Sequence, residues 1–511
     1  MSNILGGFAY ALQPINLLYS ILGCMSGILF GALPGISSAM GCVLLLPFTY
    51  GMDGIAAIIL LVSNFCGSTM GGSITSILFA TPGTPEAVMT VLDGHPMYKK
   101  GLGGKALGIA VSASVIGGLF STFLLVFLCV PISKVALLFS PCEYVALGCL
   151  GLCAITGLGK GSMPKTLASC LLGLALATFG TDEITGIVRY SFGSTTFMNG
   201  IHYIPVMIGA FALSEVFVQA TKKQKKQDLS VYKSVKVQFM TRKEFWQYKW
   251  LILKSAVIGV FVGVLPGTGG TIASVLSYSE AVRSSKNPEM FGTGIPEGII
   301  APETANNAST GGALVPTLTL GIPGSGTTAV ILGAFTMHGL KAGPLLFMMQ
   351  PKLLYAVFIA MFIANVLLLV GGIWGVKAFA QVSRFPYFIQ GTMIVMLCFI
   401  GSYALQNDLG SVWIMLISGI VGFFFKKYGF SVAGMVLGLV LGSMIEENIR
   451  KAMIIANDNW AALFFRPIAG VIWLVCIFAL CWPFIRSMLE KKKKTNKIRD
   501  FAEKAEEDLE K

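Results

Sequence analysis

The 511-residue chain is far more apolar and less charged than an average water-soluble protein. Apolar residues make up 55% of it, charged residues make up 12%, and its mean hydropathy is +0.76. Soluble domains carry roughly 25% charged residues. The first 52 residues contain no charged side chain. These values exclude a soluble globular protein, because so much apolar surface needs hydrocarbon as its solvent.

The net charge of +13 is concentrated in two stretches that adjoin apolar runs. Nine lysines and arginines lie in residues 221–249, and a second basic cluster follows residue 489. Basic segments resist translocation, so both stretches are predicted to be cytoplasmic. Nucleic-acid binding is the rival interpretation, but no stacking aromatic residues are interleaved within the dense lysine runs at 222–226 and 491–494.

Two motifs occur twice in the same order. Residues 31–35 read GALPG and return as GVLPG at 263–267, an offset of 232 (266 − 34 between the prolines). A Gly-Gly pair followed by a Pro-Gly pair at 71–83 returns at 311–324, an offset of 241 (323 − 82). Matched motifs at nearly constant spacing indicate an internal duplication.

In the first half, proline and glycine interrupt the apolar runs. Pro34 breaks the first run, since proline lacks an N–H and the following glycine tolerates unusual dihedrals. Seven Ser, Thr and Asn side chains lie between residues 63 and 76, which predicts a helix that faces protein or a cavity instead of lipid. We read residues 93–105 as a basic loop. The predicted membrane segments are 15–33, 36–50, 54–80, 106–130, 133–157, 164–180 and 204–220.

In the second half, a similar broken run precedes a more polar stretch. The predicted membrane segments are 250–265, 353–377, 387–404, 410–425, 428–445 and 467–487. We therefore expect an all-α polytopic membrane protein of about ten to twelve spans, some of them broken or re-entrant, in two inverted repeats. The predicted parts are residues 1–220 and 250–488 as the repeats, 221–249 as a basic cytoplasmic linker, and 489–511 as a charged cytoplasmic tail.

The chemistry of the breaks suits an anion. A helix N-terminus presents unpaired N–H groups and about half a positive charge, and glycine lets a ligand approach the backbone closely. Paired breaks in two repeats indicate the binding site of a secondary transporter, and we expect the four breaks to converge near the bilayer midplane. The predicted substrate-binding residues are Pro34, Gly35, Ser37, Ser38, Pro82, Gly83, Thr84, Pro266, Gly267, Thr268, Pro323, Gly324 and Ser325.

Carbonyl and amide oxygens near the breaks suit a coupling cation, either Na⁺ or H⁺. The predicted ion-coupling residues are Asn64, Glu303, Asn306 and Asn307. Among the acids close to the motifs, Glu86, Glu280 and Glu303, the last is favoured because two asparagines follow it at helical spacing. The plainer interpretations are a simple helix kink at each break and a paired or interfacial charge at each acid.

Taken together, the motifs resemble those of the TctA family, the large membrane subunit of the tripartite tricarboxylate transporters. The resemblance spans about residues 15–345 and rests on these stretches: GALPG at 31–35, GGSIT at 71–75, TPG at 81–83, LDG at 92–94, KKG at 99–101, GVLPG at 263–267, APETANN at 301–307 and LGIPG at 320–324. It implies a bacterial inner-membrane carrier that takes up citrate-like carboxylates by ion-driven symport. It also implies a small TctB-like membrane subunit and a periplasmic TctC-like solute-binding protein as partners.

Two other functions compete with a receptor-dependent transporter subunit. One is a self-sufficient organic-anion permease or channel, which needs no periplasmic receptor. The other is a membrane-embedded enzyme, but no G-x-S-x-G, H-E-x-x-H or P-loop motif is present. The eleven cysteines and three histidines are scattered, so we predict no metal site, no catalytic residues and no cofactor beyond the coupling ion.

The charge pattern generates a topology prediction. In a cysteine-free background, Gln227→Cys and Thr495→Cys should be protected from a membrane-impermeant thiol reagent added to intact spheroplasts, because both sites are predicted to be cytoplasmic. Permeabilised cells provide the control, in which both cysteines should react. Labelling of either site in intact spheroplasts would contradict the assignment.

Overall fold

The computed structural model describes residues 2–33, 35–158, 162–182, 185–221, 236–267, 269–382 and 387–481. Within these ranges the fold is almost entirely helical, apart from one antiparallel pair, β1 (Gly180–Thr181) and β2 (Val188–Arg189). Eight helices are long and apolar enough to cross a membrane, and six further apolar helices are shorter. The prediction of an all-α polytopic membrane protein is confirmed. Residues 222–235 of the basic linker and the whole charged tail lie outside the described residues.

The helices of the first half have these bounds: α1 (Ser2–Ala11), α2 (Pro14–Ala32), α3 (Ser38–Leu45), α4 (Gly54–Phe79), α5 (Thr90–Met97), α6 (Gly103–Ala136), α7 (Pro141–Leu158), α8 (Met163–Ala177), α9 (Thr195–Met198), α10 (Tyr203–Met207) and α11 (Ser214–Ala220). A π-helical turn joins α10 to α11, so that the two form one span, Tyr203–Ala220.

The helices of the second half have these bounds: α12 (Arg242–Val264), α13 (Gly269–Ser284), α14 (Glu297–Leu320), α15 (Gly326–Met337), α16 (Pro344–Met349), α17 (Pro351–Val382), α18 (Tyr387–Gln406), α19 (Leu409–Tyr428), α20 (Val432–Ile455), α21 (Ala462–Phe465) and α22 (Pro467–Cys481). Helix α14 is long but too polar to be recognised as a span from its composition. Nearly all of its residues are buried inside the protein.

Several segments differ from the sequence-based prediction, and three of the differences have a direct structural explanation. Helix α6 continues through Pro131, where a break was expected, because one proline removes a single helical hydrogen bond and can kink a helix without ending it. Residues 93–105 are mostly helical, since the polar side chains that suggested a loop find partners; His95 Nδ1, for example, lies 3.0 Å from the carbonyl oxygen of Ile77. Helix α12 begins at Arg242 with a Thr241–Glu244 capping box, eight residues before the expected span.

Helix α4 covers the polar-rich segment 54–80, and 89% of its most apolar 18-residue stretch is buried inside the protein. The prediction that this segment faces protein is confirmed. Glycines on α2 make this burial possible. Gly27 and Gly31 lie directly against the backbone carbonyls of Asn64 and Ser68, where a Cβ atom would clash. This contact brings the two helix backbones together along the length that leads to the first break.

The same packing recurs in the second half. Gly259 and Gly263 of α12 lie against the backbone carbonyls of Ala305 and Ser309 of α14. Each glycine stands 232 residues after its counterpart in α2, and each carbonyl stands 241 residues after its counterpart in α4 (259 − 27 and 305 − 64). These are the offsets of the two sequence motifs.

The two buried helices α4 and α14 run in opposite directions. Helix α4 begins against His338 and ends against His95. Helix α14 begins against Asp93, beside His95 in sequence, and the glycine that ends it contacts Ala342, close to His338 in sequence. An inverted repeat requires this antiparallel arrangement, although the duplication itself stays a prediction.

The glycine contacts generate a stability prediction. Gly31→Ala should destabilise the detergent-solubilised protein by roughly 1–3 kcal/mol, because the added methyl group would press into the Ser68 carbonyl. Gly51→Ala is the matched control, since a Cβ atom there meets nothing within 4 Å. Thermal unfolding of both variants checks this prediction. Equal melting temperatures for Gly31→Ala and Gly51→Ala would contradict it.

Candidate functional site

The structure brings the helix breaks together in pairs. In the first half, Gly83 packs against the carbonyl of Gly31, and its N–H donates to the carbonyl of Gly72 over 3.2 Å. In the second half, the N–H of Gly267 donates to the carbonyl of Gly324 over 2.9 Å. The N–H groups of Gly83 and Gly267 therefore find their acceptors on the preceding helix and on the other break of the same half.

A cavity of about 580 Å³ lies at the first-half breaks. Two helix N-termini face it. Ser37 caps α3 by accepting from the N–H of Met40 over 3.2 Å, and Ser431 caps α20 by accepting from the N–H of Gly434 over 3.0 Å. The lining residues are Gly35, Ser37, Pro82, Gly83, Thr84, Pro85, Val88, Phe211, Glu215, Lys426, Phe430, Ser431, Val432 and Ala433. We call this the large cavity.

One ion pair lines the large cavity. The Nζ atom of Lys426 lies 2.7 Å from a carboxylate oxygen of Glu215 and 3.5 Å from the carbonyl oxygen of Phe211. Lys426 stands in the last turn of α19, and Glu215 stands in the first turn of α11. The lining thus combines one full positive charge, its paired carboxylate and two helix N-termini.

A second, much smaller cavity lies at the second-half breaks, and we call it the small cavity. Its volume is about 10 Å³, which is room for about one water molecule. It is lined by Phe65, Thr69, Glu86, Gly269, Gly270, Ser309, Ala313, Ser325 and Thr327. These residues come from both halves of the chain, so the small cavity is a junction between them.

Residues 82–87 separate the two cavities. Thr84 and Pro85 line the large cavity, whereas the next residue, Glu86, lines the small one. The 3₁₀ turn Pro85–Ala87 packs against α13, and Gly270 of that helix lies against the side chain of Glu86. A shift of residues 82–87 that alters one cavity would therefore alter the other cavity as well.

A buried polar network on α14 reaches the same segment. The carboxylate of Glu303 accepts from Ser114 Oγ over 3.0 Å and from the hydroxyl of Thr90. The amide of Asn307 donates to the Glu303 carbonyl over 3.1 Å and to Asn306 Oδ1 over 2.6 Å. Within the described ranges Glu303 forms no ion pair, so only hydroxyl groups and the neighbouring amides accompany its carboxylate.

The amide of Asn306 extends this network to the segment between the cavities. Its Nδ2 atom lies 3.4 Å from the carbonyl oxygen of Glu86. Asn64, which the sequence grouped with these residues, instead lies among α2, α3 and α4. It donates to Ser26 Oγ over 3.2 Å, and its Oδ1 atom accepts from Cys42 Sγ over 3.5 Å. The four predicted ion-coupling residues therefore divide between two places.

The predicted substrate-binding residues also divide. Those of the first half, Gly35, Ser37 and residues 82–84, line the large cavity, whereas Ser325 lines the small one. Ser38 is buried in the first turn of α3. Pro266 and Pro323 precede the two glycines that are bonded to each other. Pro34 and Thr268 lie outside the described residues.

The structure also places functional groups that the sequence did not indicate. Glu215, Lys426 and Ser431 lie far from the motifs in sequence and reach the large cavity only through folding. A usable signal was present for Lys426, because a lysine pair interrupts an apolar run just before a Gly-Phe-Ser turn. Arg283 is exposed in the last turn of α13, away from both cavity linings, and pairs with Glu280 over 2.6 Å.

Broken helices that enclose cavities inside a polytopic helical bundle define a membrane transporter architecture. The chain belongs to the tripartite tricarboxylate transporter TctA family, whose sequence profile matches residues 17–437. It is thus a large subunit of a transporter, a multi-pass membrane protein, and a member of a transport family instead of an enzyme family. The resemblance noted from the sequence motifs is confirmed.

Two proteins from Agrobacterium vitis are similar to this chain. One, described as "Uncharacterized 52.8 kDa protein in TAR-I ttuC' 3'region", is 34% identical over 494 residues, which cover 96% of this chain and 98% of that protein. The other, described as "Uncharacterized protein in TAR-II ttuC' 3'region", is 38% identical over 232 residues, which cover 45% of this chain and 96% of that protein. No solved structure shows a significant match to this chain.

Proposed function

We propose that this chain is the permease subunit of a receptor-dependent, ion-gradient-driven secondary transporter that takes up tricarboxylates or related organic carboxylates across the bacterial inner membrane. The proposal rests on the large cavity, which lies at the first-half helix breaks and is lined by two helix N-termini and a lysine. Its volume of about 580 Å³ falls within the roughly 300–1,000 Å³ typical of small-molecule sites.

The charges of the large cavity suit a carboxylate substrate. Burying an anion without compensation costs several kcal/mol, so a site at membrane depth needs positive partners. The N-termini of α3 and α20 each supply about half a positive charge. Lys426 supplies a full charge, which its pairing with Glu215 now balances. An incoming carboxylate would compete with Glu215 for Lys426, which restricts the site to anions that can exchange with an internal carboxylate.

The position of the large cavity favours release on the cytoplasmic side. Glu215 stands five residues before Ala220, where α11 ends and the basic linker begins. That linker is predicted to be cytoplasmic from its lysines. In this proposal the structure corresponds to an inward-facing state, in which substrate leaves beside the linker.

The remaining parts of the system are proposed from family membership. A periplasmic TctC-like protein delivers the substrate, and a small TctB-like membrane subunit completes the complex. The coupling ion is Na⁺ or H⁺. We place the coupling residues around Glu303, Asn306 and Asn307, because their network contacts the segment between the two cavities. Asn64 belongs to the same proposal, because its hydrogen bonds hold α2 and α3 against α4.

A self-sufficient organic-anion permease or channel is the alternative. It would use the same cavity without a receptor protein. Requirement for the receptor therefore discriminates between the two functions, and so does dependence on an ion gradient, since a channel only dissipates gradients.

The proposal predicts the outcome of an uptake assay. Proteoliposomes that contain this subunit and its small partner should accumulate radiolabelled citrate only with a periplasmic receptor on the outside and an inward cation gradient. Collapsing the gradient with an ionophore provides the control. Equal uptake with and without the receptor would favour the self-sufficient permease, and uptake that never exceeds equilibrium would indicate a channel.

A second prediction concerns Lys426. Replacing it by glutamine should raise the half-saturating substrate concentration about ten- to a hundredfold, since a charge-assisted hydrogen bond is worth roughly 1.5–3 kcal/mol. Lys427→Gln is the matched control, because this neighbouring lysine is exposed. Uptake kinetics at equal amounts of inserted protein measure the effect. Identical kinetics for the two variants would show that the substrate carboxylate binds elsewhere.

A further inference from the structure

The small cavity presents an excess of hydrogen-bond acceptors. The Oε2 atom of Glu86 is buried and has no hydrogen-bond partner among the described residues, and Glu86 forms no ion pair within those ranges. A carboxylate in this situation needs a bound cation or a proton, because a buried and uncompensated charge is strongly unfavourable.

Two of the hydroxyl groups that line the small cavity with Glu86 donate their protons elsewhere. Thr69 donates to the carbonyl of Phe65 over 2.9 Å, and Ser309 donates to the carbonyl of Asn306 over 2.6 Å. A hydroxyl carries one proton and two lone pairs, so these two oxygens retain only acceptor capacity toward the centre of the cavity. Carboxylate and hydroxyl oxygens are the ligands preferred by hard cations.

The neighbouring helix ends do not remove this excess of acceptors. Helices α13 and α15 begin at Gly269 and Gly326, beside the cavity, and offset part of the carboxylate charge through their dipoles. Ser325 caps α15 by accepting from the N–H of Thr328 over 3.2 Å, and its Oγ lies 3.3 Å from Thr328 Oγ1, whose own proton goes to the Ser325 carbonyl. The Ser325 hydroxyl therefore donates to Thr328 Oγ1 and keeps one lone pair for the cavity. No backbone donor from either helix reaches the Oε2 atom of Glu86 in the described structure.

From this geometry we propose that the small cavity binds one Na⁺ ion, with Glu86 as its charged ligand and Thr69, Ser309 and Ser325 as neutral oxygen ligands. The volume of about 10 Å³ admits a single particle no larger than a water molecule. The site rests on the proposed function, since it supplies the seat of the coupling ion. In this proposal Glu86 is the charged ligand of the ion, and Glu303 belongs to the neighbouring polar network.

The same site explains how ion and substrate depend on each other. Glu86 follows directly after Thr84 and Pro85, which line the large cavity. An ion bound to Glu86 would hold residues 82–87 in place and add positive charge close to the substrate. By thermodynamic reciprocity, substrate would then strengthen Na⁺ binding by the same factor as Na⁺ strengthens substrate binding.

Na⁺ binding to the purified chain, without receptor or substrate, tests the proposal independently of transport. Calorimetric titration with NaCl, at ionic strength held constant with choline chloride, should show saturable binding to the wild type. Glu86→Gln should weaken this binding at least tenfold, whereas Glu289→Gln, which removes an exposed acid, should leave it unchanged. Thr69→Val serves if Glu86→Gln fails to fold; it removes one oxygen at nearly constant volume and should weaken binding severalfold.

A steric variant provides a second arm. A Cβ atom on Gly270 would lie 2.8 Å from Glu86 Cγ and 3.0 Å from Ser309 Oγ, so Gly270→Ala should block the cavity without removing any charge. Loss of Na⁺ binding in both Glu86→Gln and Gly270→Ala would support the site.

Three results would overturn the proposal. They are no saturable Na⁺ binding to the wild type, unchanged binding in Glu86→Gln, and loss of binding in Glu303→Gln alone. The first would mean that water or the helix ends suffice for Glu86, and it would leave the proposed uptake function standing. Normal Na⁺ binding combined with a complete lack of carboxylate uptake would instead contradict the proposed function.

Discussion

The structure depends on one constraint, which is that non-helical backbone inside a membrane must find its hydrogen-bond partners in the protein. Two Pro-Gly breaks meet this constraint through glycine contacts that let α2 pack on α4, and α12 on α14, at backbone distance. A Cβ atom at Gly31 or Gly263 would push these helices apart and expose the carbonyls and N–H groups of the breaks. The cost of several kcal/mol for each unsatisfied group in hydrocarbon explains why so much of the chain serves to bury the breaks.

The two halves are then fixed to each other by a buried acid. One carboxylate oxygen of Asp93 accepts from the backbone N–H groups of Gly292, Gly294 and Ile295 over 2.8–3.1 Å, and the other accepts from the Tyr278 hydroxyl over 2.9 Å. These bonds hold the segment after the first-half break against the start of α14. Residues 82–87 lie between the large cavity and the acceptor-rich small cavity. Coupling would then require only the movement of this short segment, not communication over a long distance.

Much of the fold could be predicted from sequence patterns because its determinants are local. The Pro-Gly motifs, the glycine spacing and the hydroxyl-rich face of α4 are each readable within one helix, and the motif offsets match the packing contacts in both halves. Sequence patterns failed to predict the structure where the position of a residue depends on a partner that is distant in the chain. Helix α14 is too polar to be recognised as a span, yet it is buried because α6, α12 and α13 surround it. Lys426 and Glu215 meet only in the folded protein, and nothing local in the sequence shows that Glu86 lines a cavity.

The central claim is that carboxylate substrate binds between the N-termini of α3 and α20, beside the first-half breaks. Cryo-electron microscopy of the protein with a saturating tricarboxylate and Na⁺ tests this most directly. We expect non-protein density in the large cavity, in contact with Ser37, Lys426 and Ser431, and no such density in a sample without substrate. Substrate density outside this cavity, for example beside the exposed Arg283 of α13, would contradict it.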